Sequence, residues 1–224
     1  MVCRISPWDA AQNYYTPDLY GVPGESTNVF WLRYAQPVGK WLVRASLPLP
    51  TLPTGDNQRD SGVGDFNLFA AYNVVQTAGT VLGVGPLIVA PTASEDSLGA
   101  DKWQGGLAGV YFNGNSPQFQ FGGLLTWQGS FAGNEDREDT SLLVAQPFGF
   151  WQLGGGTYLR TAPLWVFNVK SGDYNIPFGF GIGKVITTGN KVFNIFIEPQ
   201  FTMLHSGIGQ PAFQIYTALN MQFK

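Results

Sequence analysis

Charge is what this chain has least of. Only 12% of its 224 residues are Asp, Glu, Lys or Arg, about half the share usual in soluble globular proteins. A surface that must stay wet cannot easily be drawn from so few charges. Cysteine is nearly missing as well, and Cys3 alone excludes an intrachain disulfide framework. One histidine and one cysteine leave a His/Cys metal site without its ligand set. No run of about 18 apolar residues occurs, so no helix is built to cross a membrane. The opening "MVCRISPWDA" lacks the apolar core of about 7–15 residues of a signal peptide, so the chain reads either as a mature form or as one that has lost its leader. A net charge of −3 and a pI near 5.0 exclude a nucleic-acid footprint.

Aromatic residues (15%), glycine (29) and proline (15) are plentiful. Together with the low charge they suit an outer surface that faces lipid. Helical periodicity is nearly absent. Period-two segments recur instead, which is the signature of strands with one apolar and one polar face. They run over about 26–37, 40–53, 63–76, 80–92, 102–113, 117–131, 140–153, 156–169, 174–187, 191–204 and 211–223. In "KVFNIFIEPQFTM", Phe193, Ile195, Ile197, Phe201 and Met203 form one row, while Asn194, Glu198, Gln200 and Thr202 fall on the other.

Short connections ("QPVGK", "QTAGT", "NGNSP", "LGGGT", "TTGNK") alternate with longer ones ("TGDNQRDSG", "ASEDSLGAD", "AGNEDREDT", "VKSGDY", "HSGIGQ"). That rhythm predicts an all-β, up-and-down antiparallel transmembrane barrel with long loops outside and short periplasmic turns. A closed barrel is also the only sheet that satisfies its backbone in hydrocarbon. Strand parity calls for one more strand, about residues 4–16, with "PDLYGVPGES" as its outer loop. This gives twelve strands in a single domain over 1–224, of which 1–25 are the N-terminal strand and loop. Eleven strands with an irregular tail is the alternative.

On this reading the polar rows face the lumen. Arg33, Arg44, Asp65, Arg160 and Glu198 point inward with Asn67, Gln128, Gln146, Asn194 and Gln200. Three arginines against two carboxylates leave a mildly cationic interior. Lone buried charges are prohibitively costly, so they either lock into a stiffening network or line a wet solute path. Gly179, Gly181 and Gly183 face the lumen and leave free space there, or else relieve strand curvature. Trp41, Trp103, Trp127, Trp151, Tyr111 and Phe223 lie near strand ends, where interfacial girdles belong.

Other chemistry finds little support. His205 and Ser206 are adjacent, so on a strand they face opposite ways and make no catalytic pair. Glu135, Asp136, Glu138 and Asp139, with Glu95, Asp96 and Asp101, offer oxygen ligands for Ca²⁺, although a solvated loop is the simpler reading. "GVGP" and "GIGK" precede no helix, so they are not phosphate loops.

The segments "SGVGDFNLFAAYN", "GVGPLIVAPTASEDSLGADKWQGG", "SFAGNEDREDTSLLVAQPFGFWQLGGGTYLR" and "GIGKV" resemble the MetA-pathway phenol degradation family of bacterial outer-membrane barrels, grouped with aromatic-hydrocarbon transporters. The resemblance covers about residues 12–224. It implies an outer-membrane barrel and attaches no catalytic residues. The expected function is passive uptake of small, hydrophobic or aromatic solutes, by a non-enzyme that needs no cofactor. The alternative is a structural or interaction barrel with a closed, salt-bridged lumen. The partners called for are membrane lipid, lipopolysaccharide and a small hydrophobic solute, with oligomeric association left open.

Overall fold

The computed structural model describes residues 8–22, 24–55 and 58–223. Its strands are β1 (Trp8–Leu19), β2 (Thr27–Val38), β3 (Trp41–Gly55), β4 (Gln58–Ser61), β5 (Phe66–Gln76), β6 (Thr80–Ala90), β7 (Lys102–Asn113) and β8 (Phe119–Gly133). They continue as β9 (Ser141–Gly154), β10 (Thr157–Thr161), β11 (Trp165–Asn168), β12 (Tyr174–Gly179), β13 (Gly181–Thr188), β14 (Lys191–Ser206) and β15 (Pro211–Phe223). β4 is a hairpin appendage of β3. β10 and β11 are two lengths of one stave, as are β12 and β13, so the wall has twelve staves.

Each stave pairs antiparallel with its neighbours, and β1 pairs with both β2 and β15. The cylinder is closed, so no sheet edge meets hydrocarbon. This excludes the eleven-strand alternative. Of the expected strand 4–16, residues 4–7 lie outside the described residues. The observed strand also runs further, through Pro17 to Leu19, where the sequence suggested a loop. Pro17 cannot donate to a ladder, and the register shifts between Tyr15 and Asp18 to step around it.

Short turns occupy one end of the cylinder. At 155–156 both glycines have positive φ, 58° and 79°, as a two-residue hairpin turn with right-handed twist requires. The opposite end carries the longer loops. There the expected loop "TGDNQRDSG" contains β4, and "ASEDSLGAD" contains a 3-10 turn at Asp96–Leu98.

The alternating rows sort as their chemistry demands. Ile195, Ile197, Phe201, Phe121, Leu125 and Leu219 stand exposed on the outer wall. Trp41, Tyr111 and Trp151 ring the short-turn end, and Trp103 and Trp127 lie nearer the loops, all exposed. The side chain of Phe223 is outside the described residues. An exposed apolar belt of this extent is tolerable only against lipid.

One expected strand, 156–169, is broken in its interior at 162–164. Pro163 falls opposite Pro147, in the gap between the pairs Thr161↔Gly149 and Trp165↔Ala145. Two facing prolines have no N–H to exchange, so the ladder parts there. On the next stave the break is Phe180 alone, whose N–H reaches Pro199 O at 3.3 Å.

Candidate functional site

The inner wall has two arcs. Phe69, Ala71, Leu87, Val89 and Ala108, from β5, β6 and β7, form an apolar arc. Tyr14, Phe196, Tyr216 and Ala218, backed by Trp31, form an aromatic arc on β1, β14 and β15. In the stave order these arcs lie on opposite sides of the cylinder.

The polar heart lies beside the aromatic arc. Glu198 is fully buried and Arg160 is 5% exposed. Arg160 Nε donates to Glu198 Oε2 at 2.6 Å. Its guanidinium also lies over the Phe196 ring, 3.3 Å from the centroid. Glu198 Oε1 accepts from Ala162 N at 2.9 Å and from Gln200 Nε2 at 2.8 Å. Ala162 N is free to donate sideways because the proline gap has taken it out of the ladder. Gln146 Nε2 donates to Ala162 O at 3.3 Å, and Gln214 Nε2 to Gln200 Oε1 at 2.6 Å. A carboxylate so deep is sustained only by a cation and hydrogen bonds together.

Glycine makes this reach geometrically open. Glu198 and Arg160 sit two staves apart, and the stave between them presents Gly179, Gly181 and Gly183. A Cβ on Gly181 would lie 2.7 Å from Glu198 Cβ, and one on Gly183 would lie 2.3 Å from the Tyr158 ring. The glycines face inward as expected. The space they leave is filled, however, by Glu198, Gln200 and Tyr158, which corrects the reading of free lumen volume.

The remaining sequence-selected residues separate into three groups. Gln128 donates to Gln104 Oε1 at 2.9 Å, and Asn194 accepts from Tyr158 Oη at 2.5 Å. Arg33 donates to Gln12, whose Oε1 also accepts from Tyr216 Oη at 2.6 Å. Arg33 lies over Trp31 (4.7 Å) and Arg44 over Phe69 (4.5 Å). Neither arginine has a carboxylate within salt-bridge distance among the described residues, where the ion pairs are Arg160–Glu198, Lys102–Asp139 and Lys170–Asp139. Asn67 Oδ1 is buried without a hydrogen-bond partner.

Asp65 is the exception. It does not line the lumen network: its Oδ2 accepts from Ala100 N at 2.8 Å and its Oδ1 from Ala93 N at 3.3 Å. Lying in the loop before β5, it is the acceptor that folds the 91–101 loop. Glu198 is therefore left alone among these groups to oppose three arginines. Sequence reasoning passed over Tyr14, Trp31 and Phe196 as site residues. The signal was there, since Trp31 shares a strand face with Arg33, and Phe196 stands in the polar row of Glu198.

At the loop end, Asp139 takes Lys102 Nζ at 2.7 Å and Lys170 Nζ at 2.8 Å. Those two hydrogen bonds, Lys102 first, hold its carboxyl well below the usual range. Arg137 Nη2 binds Asp96 O and Gly99 O at 2.6 and 2.8 Å. His205 stacks on Tyr20, centroids 3.7 Å apart. Among the described residues no group of three or more His, Cys, Asp or Glu side chains is arranged to hold a metal. The larger apolar concavities lie on the outer wall. One of about 810 Å³, flanked by Phe30, Ile182, Ile195 and Leu219, belongs to the hydrocarbon.

Solved structures share this architecture. The COG4313 outer membrane channel from Pseudomonas putida F1 superposes with a TM-score of 0.68 at 16% identity, over 97% of this chain and 94% of that one. The NanC porin gives 0.64 at 8% identity, over 96% and 99%. The KdgM porin in complex with disordered oligogalacturonate gives 0.54 at 5%, over 97% and 98%. The fold is that of outer-membrane channels. In sequence the chain matches no family model and no curated protein. What carries across is thus the barrel, which is coarser than the phenol-degradation resemblance.

Proposed function

We propose that this barrel is a passive channel of the bacterial outer membrane for small solutes with an apolar or aromatic body. The observation that carries the reading is the inner wall itself. Polar atoms with no protein partner, among them Arg33 Nε, Arg44 Nε, Asn67 Oδ1 and Asn220 Oδ1, stand on inward-facing rows. Leaving such groups dry costs about 1–3 kcal/mol each, so they call for water or a polar solute. The apolar and aromatic arcs pack inside the barrel, so the interior is apolar as well as polar. The solute class also follows the family resemblance in the sequence. That the KdgM porin holds an oligogalacturonate in its complex is consistent with a barrel of this fold admitting organic solutes.

The rival is a closed structural barrel, and the Arg160–Glu198–Gln200 lock favours it locally. Reconstitution into planar bilayers separates the two. A channel gives discrete conductance steps in KCl, and added phenol lowers the current by occupying the lumen. A barrel with no steps and no phenol binding refutes the channel and leaves the closed cylinder.

A further inference from the structure

Among the described residues, Arg33 and Arg44 are charged groups without counter-charges. Register places Arg33 opposite Ser46 on β3, and Ser46 in turn opposite Asn67 on β5. Arg44 is two residues from Ser46 on the same face, hence a diagonal neighbour of Arg33 at roughly 7–8 Å between backbones. Ser46 is 3% exposed. Ser46 Oγ, Asn67 Oδ1, Arg33 Nε and Arg44 Nε all lack hydrogen-bond partners. Two like charges thus sit side by side on a wall of low dielectric, with a buried hydroxyl between them. With Asp65 committed to the loop, no carboxylate among the described residues offsets them.

An anion placed between the guanidinium groups would remove their repulsion. A planar carboxylate suits guanidinium N–H donors, which bind it in parallel pairs. Ser46 Oγ–H supplies a further donor. The arginines are also held over aromatic faces, Trp31 and Phe69; Phe69 is buried, while Trp31 is only partly so and leaves apolar surface beside the charge. We propose that Arg33, Arg44 and Ser46 form a lumen subsite for the carboxylate of a small organic acid, with Trp31 bordering its apolar body. The proposal rests on the channel reading above and narrows its solute to amphiphilic monocarboxylates.

Benzoate is the probe. Titration calorimetry of the detergent-solubilised barrel is expected to show benzoate binding, at least tenfold weakened in Arg33→Gln and in Arg44→Gln, because each variant removes a charge-assisted contact. Heat-modifiable migration in gels confirms that the variants are folded. Bilayer current in a KCl gradient is expected to be anion-selective in the native barrel, and less so in both variants. Benzoate binding unaltered by either substitution overturns the subsite. Equal binding of acetate and benzoate overturns the aromatic border. A barrel that conducts but prefers cations sinks the subsite and spares the channel, whereas benzoate binding without conductance spares the subsite and sinks the channel.

Discussion

Replacing Glu198 by Gln tests whether the buried pair is a structural lock. The substitution preserves shape but puts an amide where a carboxylate accepts three donors, Arg160 Nε, Ala162 N and Gln200 Nε2. Arg160, nearly buried, then has no counter-ion. Breaking one side of such a pair costs about 3–5 kcal/mol. The Phe196 face stays over the guanidinium and is worth about 0.5–2 kcal/mol, so the lower end, near 3 kcal/mol, is expected. Removing both charges, Glu198→Gln with Arg160→Gln, is expected to recover much of that loss, because neither ion is left unpaired. Denaturant unfolding of the barrel in lipid vesicles, followed by tryptophan fluorescence, gives the three values. If the single substitution costs under about 1 kcal/mol, or if the two losses simply add, the pair is not a buried lock.

Gly181→Ala is expected to destabilise the barrel by about 1–3 kcal/mol, because its Cβ would meet Ile197 O at 2.4 Å and Glu198 Cβ at 2.7 Å; the same unfolding assay reads it, and a neutral outcome would contradict the crossing of side chains over this stave. Asp139 has a folded pKa below its ordinary 3.8, so its contribution is fully present above that value and is lost as pH falls through the lowered one. The difference between the native barrel and Asp139→Asn is therefore expected to be constant from pH 7 to about 5 and to shrink in more acidic buffer; a gap that grows on acidification would reverse the sign.

The cylinder was legible in the sequence because hydrocarbon imposes a strict inside–outside alternation. Ile195 and Glu198 reveal their faces by parity alone, and loop length told which end is which. Parity gives the face of a side chain, not its partner. It put Asp65 in the lumen because it extended a strand by three residues too many, across backbone that turns to meet loop amides. Nor could it show that Pro147 and Pro163 meet, since that depends on register between strands. Without that meeting, Glu198 has no backbone donor at Ala162. The aromatic arc was missed for a related reason: Tyr14 stacks on Tyr216 at 4.2 Å only because the first and last strands join.

The gap at Pro163 bears on how the molecule assembles. The N–H of residue 162, which would ordinarily join the ladder, is instead accepted by Glu198, on a strand made dozens of residues later. That amide has no acceptor until β14 arrives, so this stretch of wall is completed late, when nearly the whole chain has been laid down.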